Sequence, residues 1–211
     1  MKKPASVKSL EQLGRVQLSK SFFMRDMLYS EIANFHGMPN IPDDPDLAIA
    51  AGHKLCEELL EPLQDQFGRI SIRSAYRSPS VNKFGNENNL SCASNEVNFG
   101  HHIWDKRNKD GEMGATATIV VNSFIPYYER TGDWPALAWW IHDHLPYSRL
   151  FFFPKLAAFN IQWHENPVRR IDSYVKPRGC LTKPGMANHD GDHGKMFKGV
   201  LSKLSERRNG S

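Results

Sequence analysis

The sequence is poor in cysteine, and the three cysteines that it has are isolated from one another. Cys56, Cys92 and Cys180 form no Cys-x-x-Cys pair, so neither a disulfide framework nor a cysteine zinc site is expected. No apolar run approaches the roughly 20 residues that a membrane-spanning helix needs. A secretory signal requires an apolar segment after its basic start, and this chain has none there. These absences predict a cytoplasmic protein without a membrane anchor.

Positive charge is also scarce where a nucleic-acid surface would need it. The net charge is only +4, and much of the excess lies near the two ends of the chain. No basic stripe interleaved with aromatic residues runs through the middle, so nucleic-acid binding is not expected. A glycine-rich phosphate loop and a serine nucleophile elbow are missing as well.

The length and composition fit one soluble domain with decorated ends. The chain has 211 residues, of which 40% are hydrophobic and 24% charged, which is ordinary for a globular protein. We predict a flexible N-terminal arm, or a short helix, at 1–20, a folded domain at 21–178 and an irregular C-terminal extension at 179–211. Within the extension we expect an amphipathic helix at 195–204 and a disordered tail beyond it.

The clearest predicted helix starts at Asp44 and ends near Gln66. Asp44 is a good N-cap, Pro45 suits the first helical position, and Gly68 is placed to end the helix. The apolar residues between them recur at four-residue spacing and form one stripe that faces a core: they are Leu47, Ala51, Leu55, Leu59 and Leu63. Cys56 belongs to this apolar face and is predicted to be buried.

Strands and a second helix follow. Strands are predicted at 70–72, 115–124, 150–153 and 158–164 from alternating or β-branched apolar residues. The Asn-rich segment 82–98 is predicted to be a long ordered loop. A helix is expected from Pro135 to about His144. This order of elements predicts an α+β fold.

Two histidine-rich segments are predicted to have no metal-binding role. In the second helix we expect Trp140 in the core and His142 and Asp143 mostly in solvent, because histidines two residues apart on a helix do not share a face. The segment from His189 to His193 is glycine-rich, and we expect a polar surface loop there.

The segment from Phe22 to Asn82 resembles a known family. A helix that ends in Leu-Leu-Glu-Pro-Leu is followed by Phe67-Gly-Arg-Ile-Ser-Ile-Arg-Ser-Ala-Tyr-Arg-Ser-Pro-Ser-Val-Asn82. This pattern is similar to the zinc D-alanyl-D-alanine carboxypeptidases, whose fold is shared with the hedgehog signalling domain. The resemblance continues more weakly to about Tyr174. It implies helices packed on a small, mainly antiparallel sheet with a long loop-lined cleft.

The resemblance implies a substrate-binding role for Arg77. In the family, the matching arginine grips the carboxylate end of the substrate, and a planar guanidinium can hold a carboxylate through two charge-assisted hydrogen bonds. The alternative is that Arg77 bonds to loop groups and fixes the Asn-rich segment. Tyr76, Ser78 and Gln162 are assigned to substrate binding beside it. Tyr76 is expected to be core or cleft wall rather than catalytic.

The resemblance also implies a zinc site, from which this sequence departs. The family uses a histidine, an aspartate seven residues later and a histidine on a late strand, with a nearby carboxylate as base. Here either His101 or His102 matches the first ligand, and Thr118 stands where the aspartate is expected.

A metal site in this chain therefore has to be rebuilt from neighbouring residues. Asp105 or Asp110 could replace the aspartate from the inserted loop. Depending on the alignment, Gln162 or His164 takes the late position, and both point to the same face. We predict His102, Asp105 and His164 as zinc ligands and Glu165 as the base. Loss of the metal is the alternative.

Three functions are compatible with these residues. The first is zinc-dependent hydrolysis near the free carboxyl terminus of a peptide, in a bacterial or phage setting. The second is a binding module that lost its zinc and recognises an anionic, carboxylate-bearing ligand. The third is a metal-dependent nuclease or other hydrolase with a rebuilt site. Fold analogy cannot choose among them, because function resides in the site, and the oligomeric state is open as well.

Overall fold

A computed structural model describes the backbone of residues 1–208 and the side chains of residues 1–201, and its architecture is α+β. Six strands form one mixed sheet in the order β1-β2-β4-β3-β5-β6. The strands are β1 (Ile70–Ser74), β2 (Gly114–Val121), β3 (Arg149–Phe152), β4 (Phe159–His164), β5 (Arg170–Ser173) and β6 (Gly179–Thr182). All neighbouring strands are antiparallel except β3 and β5, which are parallel.

The helices lie before, between and after the strands. They are α1 (Val7–Gly14), α2 (Met24–Met27), α3 (Glu31–Phe35), α4 (Pro45–Leu55), α5 (Glu61–Phe67), α6 (Pro79–Glu87), α7 (Asn95–Asn98), α8 (Ile125–Thr131), α9 (Pro135–His144) and α10 (Gly194–Arg208). Within the described residues, no helix is both long and apolar enough to cross a membrane.

The predicted central helix is confirmed, with an irregularity in its middle. The Asp44 side chain accepts a hydrogen bond from the backbone N–H of Leu47, and Gly68 ends the helix at a φ of 79°. Between α4 and α5, residues Cys56–Leu60 form a π-helical turn. The Glu61 N–H reaches back to the Cys56 carbonyl there, and Pro62 follows without an N–H of its own. Cys56 is fully buried, as predicted.

The sheet has one apolar face and one polar face. The apolar face presents residues such as Ile119, Phe159, Ile161 and Leu150, all of which are buried, and α4 packs against it. Aromatic contacts also place α9 on this side. Trp134, the N-cap of α9, meets Phe152 of β3 with ring centroids 4.8 Å apart, and Trp140 meets Phe67 of α5 at the same separation. Trp140 thus lies in the core, as predicted. The opposite face is polar and forms the candidate site.

The prediction of a long loop at 82–98 is wrong, because most of that segment is helical. Ser78 caps α6 by accepting a hydrogen bond from the Val81 N–H, and Pro79 occupies the first helical position. These two residues are a helix start signal. The buried Val81 then anchors the helix. A second short helix, α7, ends the segment.

Both terminal segments contain regular elements within the described residues. Residues 1–20, predicted as a flexible arm or a short helix, contain the helix α1, and Leu13 and Leu18 are fully buried. In the C-terminal extension, β6 pairs with β5, and α10 covers the helix predicted at 195–204. The disordered tail predicted beyond it falls partly on residues 209–211, which lie outside the described residues.

Candidate functional site

Two rows of side chains cross the polar face of the sheet. One row follows the register Thr116–Gln162–Arg149–Arg170, and the other follows Ser74–Thr118–Asn160–Phe151–Asp172. Because side chains two apart on a strand share a face, alternate residues of four neighbouring strands place these groups together. Alternation within the strands thus makes the polar face, and the segment 75–113 forms the wall beside it.

This face opens into a cleft of about 780 Å³, which we call the sheet-face cleft. Its floor includes Thr118 and Asn160, and its walls include Arg77, His102 and Phe153. The volume is in the range of small-molecule sites. A recess of about 200 Å³ adjoins it and shares Asn98, His102 and Asn160 with it; the recess is also lined by Thr116, Gln162, Arg149 and Asp172.

Arg77 is the half-buried cation of the cleft wall. Its Nη1 donates to Asn82 Oδ1 at 3.0 Å and to Cys92 Sγ at 2.9 Å. The first contact joins a network in which Asn98 also donates to Asn82 Oδ1, so Arg77 does fix the Asn-rich segment. Burial lowers the pKa of Arg77 from its ordinary value. Among the described residues, no carboxylate pairs with Arg77, and its Nε and Nη2 have no hydrogen-bond partner.

The adjacent histidines of the wall are held as neutral rings. His102 is 8% exposed, and its Nδ1 lies 3.0 Å from the carbonyl oxygen of Ala75. Burial, helped by Arg77, lowers the pKa of His102 to about 3. Burial, helped by Arg149 and His164, lowers the pKa of His101 to about 4. At neutral pH neither ring therefore adds charge to the cleft.

The recess contains two buried polar atoms without partners. Gln162 Nε2 donates to the Gly100 carbonyl at 3.1 Å and lies 2.8 Å from His101 Nδ1. Gln162 Oε1 and the Oγ1 of the neighbouring Thr116 have no hydrogen-bond partner in the described part of the chain. An unpaired buried polar group is costly, so a ligand group or water in the recess would be stabilised there.

The predicted zinc ligands are not assembled into one site. His102 Nδ1 contacts the Ala75 carbonyl oxygen. Asp105 Oδ2 accepts the backbone N–H of Asp43 at 2.6 Å, and burial raises the pKa of Asp105. His164 Nε2 accepts from Asn108 Nδ2 at 3.2 Å, and its Nδ1 lies 2.9 Å from the Asn166 carbonyl. Among the described residues, these three are not grouped at metal-ligand spacing.

Thr118, which the resemblance aligns with an aspartate, forms a hydrogen bond with Asn160. Thr118 Oγ1 donates to Asn160 Oδ1 at 2.6 Å across β2 and β4. Asp110, the other proposed replacement, is exposed. Glu165, the predicted base, accepts from the Met113 N–H at 2.6 Å and from Arg107 at 3.3 Å. This donor set does not fit a catalytic zinc, which needs three protein ligands around one open position.

The two remaining predicted residues have structural surroundings. Tyr76 is fully buried against Trp104, with ring centroids 6.1 Å apart, as expected for a core residue. Its hydroxyl is directed toward Asp105 but outside strict hydrogen-bond geometry. Ser78 is 2% exposed and caps α6. Neither side chain lines the cleft or its recess.

A second polar cluster lies far along the chain, at the end of α9. His142, Asp143 and His193 each place a donor atom within 4.8 Å of the others, so this group could hold a metal ion. The prediction that His142 is mostly solvated is wrong, because the loop 183–193 folds over it and leaves it 6% exposed. A helical wheel cannot reveal a partner 50 residues away. The sequence signal that could have indicated this cluster is the adjacent pair of His and Asp in each segment, His142-Asp143 and Asp192-His193.

Comparison with protein-family models, curated proteins and solved structures finds no match to this chain. The likeness to the carboxypeptidase family therefore remains a prediction based on the motif around Arg77.

Proposed function

We propose that this protein binds a small ligand with a free carboxylate, such as the carboxyl end of a short peptide, in the sheet-face cleft. The observation that carries the proposal is the half-buried Arg77 guanidinium, which lines the cleft without a carboxylate partner among the described residues. A desolvated charge without a counter-ion is unfavourable. A ligand carboxylate would supply the missing partner.

The remaining donors of Arg77 suit this ligand. Nη1 is occupied by the loop contacts, which hold the guanidinium in place, while Nε and Nη2 make no hydrogen bond in the described chain. These two neighbouring N–H groups form one side of the guanidinium fork and match the two oxygens of a carboxylate. The loop-fixing role and the binding role of Arg77 therefore support each other.

The rest of the cleft favours an anion with a small apolar part. Arg73 and Lys155 add positive charge, and Glu31 is the one acidic residue among the described lining residues. Ile32 and Phe153 contribute apolar wall surface. Together, these groups suit a carboxylate attached to a small apolar side chain.

Zinc hydrolysis in this cleft is not part of the proposal. The ligand set does not fit, and the Thr118–Asn160 hydrogen bond takes up the floor position that the resemblance assigns to an aspartate. The binding module is favoured over the peptidase because the residues at the expected zinc positions do not form a ligand set, whereas Arg77 lines the cleft. The proposed role of the cleft is therefore to recognise the ligand and leave its bonds intact.

The test compares a free acid with its amide. Calorimetric titration would use N-acetyl-D-alanyl-D-alanine and N-acetyl-L-alanyl-L-alanine, each as the free acid and as the carboxamide. A charge-assisted hydrogen bond contributes about 1.5–3 kcal/mol. We therefore expect at least one free acid to bind about tenfold or more tightly than its amide.

Arg77→Lys keeps the charge but removes the paired donors, so it should weaken binding of the acid by about tenfold or more. Arg130→Lys, at an exposed position on α8 outside the cleft, is the matched control and should bind like the wild type. Circular dichroism would verify that both variants are folded. Equal affinity for acid and amide, no binding of either acid, or normal binding by Arg77→Lys would each overturn the proposal.

A further inference from the structure

We propose that His142, Asp143 and His193 bind a divalent transition-metal ion of the zinc class and fasten the loop 183–193 to the end of α9. We call these three residues the metal clasp. Nothing in the proposed carboxylate recognition depends on the clasp, because it lies outside the residues that line the sheet-face cleft and its recess.

The clasp is compact, and its two histidines are buried, whereas Asp143 is exposed as a residue, as predicted, with a side chain that is turned inward. Its three donor atoms lie within 4.8 Å of one another. His142 and His193 are 6% and 8% exposed, and the Asp143 side chain is 15% exposed. Zinc lies about 2.0–2.2 Å from nitrogen and oxygen ligands, so ligands of one ion are about 3–4 Å apart. Small side-chain movements would close the site.

One nitrogen of each histidine is held by a neighbouring group that is not a metal ligand. His142 Nδ1 lies 2.6 Å from the Tyr147 hydroxyl, and His193 Nε2 lies 3.0 Å from the Asn188 carbonyl. Metal-ligating histidines usually hold their second nitrogen in this way. The other nitrogens are His142 Nε2, which faces the His189 carbonyl at 2.8 Å, and His193 Nδ1. Metal binding would replace the first of these contacts.

The hydrogen bonds of His193 suit replacement by a cation. Its Nδ1 lies 2.7 Å from Asp143 Oδ1, while its Nε2 faces a carbonyl. The Nδ1 side of the ring therefore already lies against a carboxylate that could share a cation with it. A divalent cation held between His193 Nδ1 and Asp143 would pair with the negative charge of the carboxylate.

The surroundings favour a cation and leave room for further ligands. A polar cavity of about 500 Å³ lies over His142 and Asp143 and is also lined by Asp190, Asp192 and His189. One cation, Arg169, also lines it, but its Nη2 donates to the His142 carbonyl, and its guanidinium lies over the Tyr147 ring. Two imidazoles with a carboxylate are a donor set of zinc and related ions. The absence of a cysteine ligand argues against a purely thiophilic ion.

A bound ion would connect segments 50 residues apart in sequence. The loop already contacts α9 through the His193 N–H, which donates to Asp143 Oδ2 at 2.9 Å, and through the stack of His193 on Trp139, with ring centroids 4.1 Å apart. The metal would add strong bonds at the same point. The expected consequence is a loop that is resistant to proteolysis only when the metal is present.

The experiment measures metal in full-length, untagged protein. The protein is stripped with a chelator, incubated with a small excess of zinc, desalted and analysed by elemental mass spectrometry. We expect about one zinc per chain in the wild type and a loss of nearly all of it in Asp143→Asn, a substitution of similar shape that removes the charge. His164→Ala, which removes the histidine predicted for the cleft, should retain the zinc.

A second measurement separates metal loss from misfolding. Subtilisin should cut the loop 183–193 several-fold more slowly in zinc-loaded wild type than in the stripped protein, whereas zinc should not alter cutting of Asp143→Asn. Circular dichroism of the stripped proteins should be the same for both. Less than about 0.2 zinc per wild-type chain, retention of zinc by Asp143→Asn, or loss of zinc in His164→Ala alone would each overturn the proposal.

Discussion

Acid should destabilise this protein through His101 and His102. Both rings are held neutral in the cleft wall, with pKa values lowered to about 4 and about 3, chiefly by burial. Arg77 faces His102, and Arg149 and His164 face His101, so nearby positive charge adds to the effect. In the unfolded chain, an ordinary histidine titrates near pH 6.5, at about its model-peptide value.

The sign and size follow from proton linkage. When the pH falls below about 6.5, the unfolded state takes up protons that the folded state refuses, so the free energy of unfolding falls. The loss continues until the folded-state pKa values are reached near pH 4 and 3. At pH 5 each ring costs about 2 kcal/mol relative to pH 7.5, or about 4 kcal/mol together, since one pKa unit corresponds to about 1.4 kcal/mol.

Urea unfolding at pH 7.5 and pH 5 would measure this difference. Asparagine is the informative replacement at both positions. At His102 its amide can donate to the Ala75 carbonyl, and at His101 its oxygen can accept from Gln162. Each single variant should reduce the pH dependence by about 2 kcal/mol, whereas His36→Asn, at the exposed C-terminal end of α3, is the control. A stability that is unchanged between the two pH values, or parallel curves for the wild type and both cleft variants, would refute the reasoning.

Two further predictions concern close packing and a buried carboxylate. A Cβ at Gly114 would lie 2.0 Å from the Gly100 carbonyl oxygen, so Gly114→Ala should lower the free energy of unfolding by about 1–3 kcal/mol. Gly199→Ala, with no atom within 4 Å of its Cβ, should not be destabilising in thermal unfolding, and equal losses in both would contradict this explanation. Glu61 is 7% exposed and accepts from the Ser21 N–H at 2.6 Å. Glu61→Ala should cost about 1–3 kcal/mol and speed amide exchange at residues 15–23, and unchanged exchange there would show that this contact does not hold the segment.

Local sequence signals predicted the regular elements well. Asp44, Pro45 and Gly68 mark the ends of the central helix because capping depends on immediate neighbours. Alternation in 70–72 and 158–164 predicted strands for the same reason. The π-helical turn at Cys56–Leu60 was not predicted, because it changes the hydrogen-bond pattern while the apolar stripe of the helix continues through it.

The site was only partly predictable, since its groups come together through distant contacts. Arg77 was predicted from the motif and Gln162 from the alignment of the late strand, and they line the cleft and its recess, respectively. His142 is buried by the loop 183–193, and the residue pattern of α9 alone does not predict that contact. Likewise, Asp105 is hydrogen-bonded to Asp43 and His164 to Asn108. These contacts hold the predicted zinc ligands in separate places.

The order of the strands constrains how the cleft can form during folding. β3 and β4 are close in sequence and can pair as a local hairpin, but β4 must then join β2 across more than 35 residues that include α8 and α9. Contacts between distant segments form late because the loop entropy must be overcome first. Thr116 and Thr118 meet Gln162 and Asn160 only at this step. Chains in which β4 has not yet paired with β2 would therefore lack the floor of the cleft. A ligand of the cleft should then slow unfolding without speeding folding.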